Sequence, residues 1–353
     1  MSVRTRPAIL LATASVAVGL LLAPDAAVAA ADTAVAQQCT GELAADEVCL
    51  SPDELTAAME TVQAASVAAG AEGWQTVEKW VDKPDSGWRV EGEASLQNDP
   101  INRRLILHYT DTRGYEEAFA IDATRGTWEP PTEDWQASVL KMMGRSSVKW
   151  VFTAGEVDFG SYLDASPAVT ASYLVERLGT ATEVTKTIHG DGSADYRVAN
   201  GSDEETLHVS AASVITGRDY RVQETGVFFE TSDVYSYGPQ SITLPSATST
   251  IDAKTLKTGR AYLSMADLVK KTAGTGATSA QKAAKGGKVT MKSVRSQARR
   301  AATSTNGSAG AAVVKIKDIK GGVRVYATNP WTKKSVAYTV TASGKKAVVK
   351  KVS

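Results

Sequence analysis

The sequence predicts an α+β protein: an antiparallel sheet covered by helices, followed by a small C-terminal α+β module. Three observations predict it. Residues 183–245 alternate apolar and polar side chains with the period of two that a half-buried strand requires, and Asn-Gly and Gly-x-Gly turns separate the runs. Two segments upstream combine helical spacing with helix-start residues. Residues 289–353 contain one helical segment and then four short strand-like runs.

The first 31 residues have the pattern of an export signal. Arg4 and Arg6 precede an uncharged apolar stretch at 8–23, and small residues at 27–31 suit a signal peptidase. The apolar stretch is too short for a membrane span, and neither cysteine lies in a lipoprotein acylation motif. We therefore expect a protein without a lipid anchor, located outside the cytoplasmic membrane, either secreted or in the cell envelope.

The two cysteines, Cys39 and Cys49, lie close together in a polar segment. A close pair in an exported chain is expected to form a structural disulfide. A redox or metal pair is the alternative, which the absence of C-x-x-C spacing disfavours.

The main body of the chain is expected to extend from 32 to 271. Its first helix begins with Ser51 as the cap, Pro52 in the first turn and Glu54 completing a capping box, and it ends near Gly70. The remaining elements follow from period and punctuation, and they are strands at 74–81, 88–96, 104–110 and 115–122, a helix at 133–143, a strand at 148–153, a helix at 167–178, and the meander at 183–245, whose last strand is 242–245.

The C-terminal quarter has a different composition. Residues 272–288 are rich in Ala, Gly, Thr and Lys, which predicts a linker. Residues 289–353 then predict a basic helix at 289–302 and four strands at 313–319, 323–327, 336–341 and 347–352.

Two segments of the meander carry a resemblance to a known family. Residues 235–245 read Tyr-Ser-Tyr-Gly-Pro-Gln-Ser-Ile-Thr-Leu-Pro, and 206–222 form paired strands around Thr216-Gly217. Together with the element order, these segments resemble the LolA/LppX/LprG group of lipid and lipoprotein carriers over residues 51–245. The acylated cysteine of its lipoprotein members is missing here. The resemblance implies a curved half-barrel with an apolar cavity between sheet and helices.

The resemblance implies a lipid or lipidated ligand in that cavity. Its candidate lining residues are apolar positions on the first helix and on the expected inner face of the sheet, namely Leu55, Met59, Val62, Leu105, Leu107, Tyr109, Phe119, Ile121, Trp150, Phe152, Tyr196, Val198, Leu207 and Val209. Alternation identifies the buried face of a sheet, but it does not tell whether that face lines a cavity or a solid core. Both alternatives stay open.

Charge is distributed unevenly along the chain. Residues 268–353 carry a net charge of +18, and the rest of the chain carries −18. Outside a cell, such a basic segment can bind an anionic membrane or a cell-wall polymer, whereas nucleic acid is not expected. The candidate contacts are Lys282, Lys285, Lys288, Lys292, Arg295, Arg299, Arg300, Lys345, Lys346, Lys350 and Lys351. A solvated surface, or docking on the acidic body, is the alternative.

No catalytic motif, metal-ligand spacing or phosphate-binding glycine loop occurs in the sequence, so we expect no enzyme, metal or cofactor. His108, His189 and His208 are expected to be isolated surface or sheet residues. The acidic pairs Glu116-Glu117 and Glu204-Glu205 are expected to be solvated.

Three functions fit these observations. The first is a non-enzymatic carrier or sensor of lipid or lipidated molecules with a basic tail for envelope surfaces. The second is a regulatory protein that binds an envelope protein, since some regulators that bind anti-sigma factors resemble the same two-part layout. The third is a wall-associated structural protein.

Overall fold

The computed structural model describes residues 39, 43–84, 87–163, 166–224 and 226–352. The expected export signal lies outside these residues. The chain forms two compact units: a first unit of Met1–Arg125 with Glu156–Thr243, and a second of Gly126–Gly155 with Leu244–Ser353. The expected α+β class is confirmed, because a large sheet with helices and a separate four-stranded sheet are both present.

The strands of the described residues, in chain order, are β1 (Glu47–Cys49), β2 (Trp74–Pro84), β3 (Val90–Asp99), β4 (Arg104–Asp111), β5 (Glu116–Asp122), β6 (Gly126–Glu129), β7 (Trp150–Ala154), β8 (Glu183–Ile188), β9 (Ala194–Asn200), β10 (Asp203–Val209), β11 (Ile215–Glu224), β12 (Val227–Tyr237), β13 (Thr250–Asp252), β14 (Lys315–Ile319), β15 (Gly322–Thr328), β16 (Ser335–Ser343) and β17 (Lys346–Val352).

The α-helices of the same residues are α1 (Pro52–Ala69), α2 (Asp134–Met143), α3 (Pro167–Glu176), α4 (Ala253–Leu263), α5 (Met265–Ala283) and α6 (Met291–Ala309). Among the described residues, none of these helices is both long and apolar enough to cross a membrane.

The first unit is built on a ten-stranded antiparallel arrangement. Its strand order is β1-β8-β9-β10-β11-β12-β2-β3-β4-β5. Two consecutive meanders, β2–β5 and β8–β12, are joined by the pairing of β12 with β2, which opposes Tyr237 to Trp74 and Val227 to Pro84. Because the joining strands are both 11 residues long, the centre of this sheet is its longest and most continuous part.

The first helix, α1, forms as its sequence predicts. Ser51 and Glu54 make a reciprocal capping box, and Pro52 occupies the first turn. The helix packs against α3 and against β8–β12 through an apolar cluster. Near the end of the helix, the buried Ser66 hydroxyl accepts a hydrogen bond from the Ile215 amide (3.1 Å), which ties α1 to the start of β11.

The predicted disulfide between Cys39 and Cys49 is confirmed. Cys49 lies on β1, the edge strand that pairs with β8, so the bond fastens the segment before α1 to the edge of the sheet. On the chain-entropy model, a loop of this size stabilises the folded state by about 2–3 kcal/mol.

The second unit contains two groups of strands, and helices pack on each of them. β6 and β7 are antiparallel, whereas β13 pairs with β7 in parallel, which the sequence did not predict. Helices α2 and α4 cover these strands through Val139, Leu140, Ile251 and Leu256. In the four-stranded sheet β14-β15-β16-β17, one face packs on α5 and α6.

The linker predicted at 272–288 is helical as far as Ala283, and that prediction is wrong. Small residues are needed there because α5 packs closely on α6. A Cβ atom on Gly276 would lie 2.9 Å from the Cα atom of Ala298. The Ala, Gly and Thr composition therefore reflects a tight helix–helix interface and not a flexible connection.

Two further expectations differ from the structure. The strand predicted at 242–245 does not form, because the chain leaves the sheet after Tyr237. The first compact unit ends at Thr243, and the second includes 126–155, so the units do not follow the predicted boundary at 271.

Candidate functional site

The inner face of the ten-stranded sheet is the face on which α1 packs. Side chains opposed across neighbouring strands lie on the same face. One such series runs Arg218–Asp233–Glu78–Ala94–Tyr109 across β11, β12, β2, β3 and β4. We call this series the central row.

The part of the inner face beneath α1 is a packed core. Leu55, Met59 and Val62 of α1 are 0%, 2% and 2% exposed. A void wide enough for an acyl chain would leave accessible surface on the side chains that line it. Seven of the residues expected to line a cavity therefore belong to the core: these three together with Tyr196, Val198, Leu207 and Val209.

A second apolar cluster lies at the end of the β2–β5 meander where β2 and β4 begin and β3 and β5 end. Leu105 and Ile121, also expected as cavity residues, are buried there against Trp74, Leu96 and Phe159. These two positions are core as well.

The remaining inner-face candidates are only half-buried. Leu107, Tyr109 and Phe119 lie on β4 and β5 and keep accessible surface. The Phe119 ring stacks on the exposed Tyr162 ring with centroids 5.4 Å apart, and the Tyr109 ring stacks on Trp80 at 5.9 Å. We call the four rings together with the adjacent leucine the aromatic band, which therefore consists of Trp80, Leu107, Tyr109, Phe119 and Tyr162. It is an accessible apolar surface on this side of the sheet.

Charged side chains lie on the inner face beside the aromatic band. The Arg218 Nε atom donates to Glu205 Oε1 (2.7 Å), and the Arg218 Nη1 atom is 3.5 Å from Asp233 Oδ2. Arg177, in the turn after α3, pairs with the other oxygen of Glu205. Glu205 is only 1% exposed, so the expectation that Glu204-Glu205 is solvated is wrong for Glu205.

The carboxyl group of Glu78 lies opposite Asp233 in the central row. The pKa of Glu78 is raised to about 7, mainly by burial and also by the negative charge of Asp233, while Arg218 acts in the opposite direction. Burial also raises the pKa of Asp233 to about 6, although Arg218 counteracts it. Shifted carboxyl groups of this kind are concentrated at functional sites.

Sequence reasoning missed these residues, although a signal was present. Glu205 lies two and four positions from Leu207 and Val209, and Glu78 lies two positions from Thr76 and from Trp80. Residues two apart in a strand share a face, so both carboxylates fall on the inner face of their strands. A charge at an inward position indicates a structural pair or a binding site.

The last two predicted cavity residues, Trp150 and Phe152, lie on β7 in the second unit. Phe152 contacts Trp128 with ring centroids 4.6 Å apart. They therefore do not belong to the first unit, in which the other predicted cavity residues lie. The second unit also contains an open cleft of about 820 Å³ between α4 and α6, but none of the predicted cavity residues lines it.

The outer face of the ten-stranded sheet carries a histidine pair that was expected to be isolated. The His208 ring is 2.7 Å from Asp195 and 3.0 Å from Asp219, and His189 is 3.0 Å from Asp195. Burial disfavours the protonated His208 ring, but the hydrogen bonds to Asp219 and Asp195 outweigh burial and raise its pKa. Among the described residues, no group of three or more such side chains could hold a metal ion.

The predicted anionic-surface residues are distributed over several sides of the second unit. Arg295 and Arg299 turn towards Asp318, with Arg299 Nη2 2.8 Å from its carboxylate. The exposed residues Lys282, Lys285, Lys288, Lys292 and Arg300 lie on or between α5 and α6, and Lys345, Lys346, Lys350 and Lys351 lie on or beside the edge strand β17.

A more concentrated basic surface lies on the outer face of the four-stranded sheet. The cross-strand register aligns Lys317, Arg324, Thr339 and Lys350 in one row, with Lys315 and Lys346 on the same face. We call the five cations of this set the basic face. Asp318, the acid closest in sequence, points to the opposite face, and no acidic side chain of the described strands shares the basic face.

The inner face of the first unit can support two kinds of chemistry. A carboxyl group with a pKa near neutrality can donate a proton, and a carboxylate beside aromatic rings can bind a cation. A catalytic acid is normally held in place by a partner. Among the described residues, no hydrogen bond or ion pair holds the Glu78 carboxyl group.

Comparisons with known proteins give limited information. No protein-family model matches the chain, and no curated protein matches it. Among solved structures, a LolA superfamily protein from Nitrosomonas europaea is similar over 54% of this chain and 94% of its own, at 9% identity and a TM-score of 0.26.

Two other solved structures are similar over comparable lengths. The S-type phycobiliprotein lyase of Guillardia theta matches over 52% of this chain and 93% of its own, at 8% identity and a TM-score of 0.20. A DUF1329 family protein from Desulfovibrio piger matches over 55% and 96%, at 9% identity and a TM-score of 0.17. Likenesses this weak indicate nothing about function.

Proposed function

We propose that the first unit is a non-enzymatic binding protein for amphipathic molecules of the lipid or lipidated class. The ligand would lie on the accessible part of the inner face, along the aromatic band. Each buried CH₂ group of an acyl chain contributes about 0.8 kcal/mol, so an open apolar surface can bind such a ligand without an enclosed cavity.

One observation carries this proposal. The inner face is filled with tightly packed aliphatic residues under α1, yet it keeps half-buried Leu107 and Phe119 a few strands away. Accessible aromatic and aliphatic surface beside polar groups is typical of ligand sites.

Binding of the fluorescent probe N-phenyl-1-naphthylamine, with displacement by dodecyl maltoside, tests the proposal. Leu107→Asp places a charge in the aromatic band and should weaken probe binding by about tenfold or more, because the apolar contact is lost. Ile106→Asp changes the adjacent residue on the opposite face of β4 and should leave binding unchanged. Equal effects of the two variants, or no probe binding, would contradict the proposal.

We also propose that the protein acts outside the cytoplasmic membrane. The Cys39–Cys49 disulfide supports this location, because such bonds persist in oxidising compartments. Fractionation of the producing cell and alkylation of the purified protein test it. Cytoplasmic protein with two free thiols would contradict the proposal.

For the second unit, we propose that the basic face binds the anionic surface of a phospholipid membrane. Lysines on the edge strands β14 and β17 can also serve to prevent edge-to-edge aggregation. That role does not account for Arg324, which lies on the interior strand β15 between Lys317 and Thr339. A flat array of cations suits a planar anionic surface, with about 1 kcal/mol for each Lys or Arg near it.

Sedimentation with vesicles of phosphatidylglycerol and phosphatidylcholine tests this second proposal. The triple variant Lys317→Glu, Arg324→Glu, Lys350→Glu should lose about tenfold or more in affinity at low salt. The control Lys282→Glu, Lys285→Glu, Lys288→Glu changes the net charge equally but leaves the basic face intact. Equal losses of affinity in the two triple variants would mean that net charge alone is responsible for vesicle binding. Tighter binding to an anionic wall polymer than to the vesicles would reject the membrane as the partner.

A further inference from the structure

The buried charges of Glu205, Arg218 and Asp233 are paired with one another, whereas the neighbouring Glu78 is unpaired among the described residues. Arg218 contacts both Glu205 and Asp233, and Arg177 contacts Glu205. Glu78 faces this group from β2, and it has neither a hydrogen bond nor an ion pair among the described residues. The group therefore lacks one positive charge when Glu78 is ionised.

Two neighbours of Glu78 on the same face also lack partners. Thr76 is 7% exposed, yet its Oγ1 atom has no hydrogen bond, and the buried Nε1 atom of Trp80 has none either. A buried polar atom without a partner costs about 1–3 kcal/mol, so such atoms are rare in native proteins. Since Thr76 and Trp80 flank Glu78 along β2, three unsatisfied groups share one short stretch of the inner face.

The aromatic rings around this stretch are held in position. The Trp80 ring lies directly over Gly92 of β3, where any larger residue would collide with it. The Tyr109 ring stacks on Trp80, and the Tyr115 ring meets Tyr109 edge-on at 5.6 Å. A positive charge near such rings is attracted to their π surfaces.

We propose that Glu78, Trp80 and Tyr109 form the head-group site for an organic cation, so that the ligand of the inner face is an amphiphile with an ammonium head group. The carboxylate of Glu78 is the counter-ion, and the aromatic rings contact the ammonium group. This inference rests on the proposed binding of amphiphiles and specifies the charge of the ligand.

The protonation of Glu78 makes the proposed binding dependent on pH. The ionisable groups that face Glu78 are Asp233 from β12, Arg218 from β11 and Tyr109 from β4. Because burial raises the pKa of Glu78 to about 7, its carboxyl group is protonated in part of the protein molecules at neutral pH. A bound cation must displace the proton from those molecules. Binding should therefore strengthen between pH 6 and pH 8, with release of about half a proton at pH 7.

Three surfactants with the same tail test the inference below their micelle concentrations. Dodecyltrimethylammonium should bind about tenfold or more tightly than dodecyl maltoside, and dodecyl sulfate should bind most weakly. Glu78→Gln should abolish the preference for the cation and the proton release, which calorimetry in two buffers measures. Glu93→Gln, on the opposite face of the neighbouring strand, removes the same charge and should change neither.

The outcomes separate the two proposals. If dodecyl maltoside does not bind, the proposed amphiphile site fails. If it binds but the cation shows no advantage, or if Glu78→Gln and Glu93→Gln behave alike, only the head-group site is overturned. Thermal melts of both variants establish that each is folded.

Discussion

Both faces of the ten-stranded sheet carry charged residues, but those of the outer face are partly exposed to solvent, whereas those of the inner face are buried. On the outer face, His208 lies between Asp195 and Asp219 with about a third of its side chain exposed. On the inner face, Glu205 and Asp233 are buried and depend on Arg218. Charges at the outer face remain hydrated, whereas burying charges costs several kcal/mol for each ion. The inner face therefore holds the charges whose removal has large consequences.

Removal of Arg218 should give the largest difference between the faces. Arg218→Met leaves Glu205 and Asp233 without their shared counter-ion in a buried site, and it should lower the free energy of unfolding by about 3–5 kcal/mol. Arg221→Met, on the exposed outer side of the same strand, should change it by less than about 0.5 kcal/mol. Urea unfolding of both variants measures the difference, and similar values would mean that the inner charges are hydrated.

The packing beneath α1 should give the next largest effect. Leu55→Ala removes a fully buried side chain from the core and should cost about 3 kcal/mol, because the cavity left behind closes only in part. The outer-face variant Val234→Ala, at a residue that is 61% exposed, should cost less than about 0.5 kcal/mol. A small cost for Leu55→Ala would indicate that the helix covers a hollow after all.

Glu78→Gln should stabilise the protein, but only at neutral and alkaline pH. The folded pKa of about 7 lies above the ordinary value of 4.5, so the ionised carboxyl opposes folding increasingly as pH rises from 4.5 to 7. The variant should gain about 3 kcal/mol at pH 8 and nothing at pH 4. Thermal unfolding at both pH values measures this, with Glu93→Gln as the outer-face control that should show no gain.

His208 should give the smallest effect, with the opposite pH dependence. Its folded pKa is raised above the ordinary value of 6.5, so its ion pairs contribute fully below pH 6.5. The contribution is lost as pH rises through the folded pKa. The stability difference between wild type and His208→Gln should shrink by less than about 1 kcal/mol from pH 6 to pH 8.5, because solvent screens the partly exposed group. A difference that grows with pH would show that the ring is buried neutral.

Local signals predicted much of the fold. The capping box of Ser51 and Glu54 gave the start of α1, and the period of two gave β2–β5 and most of β8–β12 within a few residues. Each of these signals is carried by a few neighbouring residues, so it can be read without tertiary information.

The remainder depended on contacts between distant residues. Residue 276 is a glycine because Ala298, on another helix, packs against it. Small residues of this kind led to the prediction of a linker where a helix forms. The role of Glu78 depends on Asp233, 155 positions later in the sequence, and on Arg218 beside it. The period of two places the Glu78 carboxyl group on the inner face, but it does not tell which residues of distant strands lie opposite, so it could not identify the site as a whole.

The pairing of β12 with β2 has a consequence for how the protein is made. β2 is released early in synthesis, yet its partner follows about 150 residues later. Until β12 emerges, one side of β2 is an unpaired edge, and contacts of such long sequence separation form slowly. Glu78 and Asp233 meet across this seam, so a nascent or truncated chain ending before residue 233 cannot contain the proposed head-group site. Under that proposal, ligand binding would arise only as β12, the last of the ten strands to be made, docks on β2.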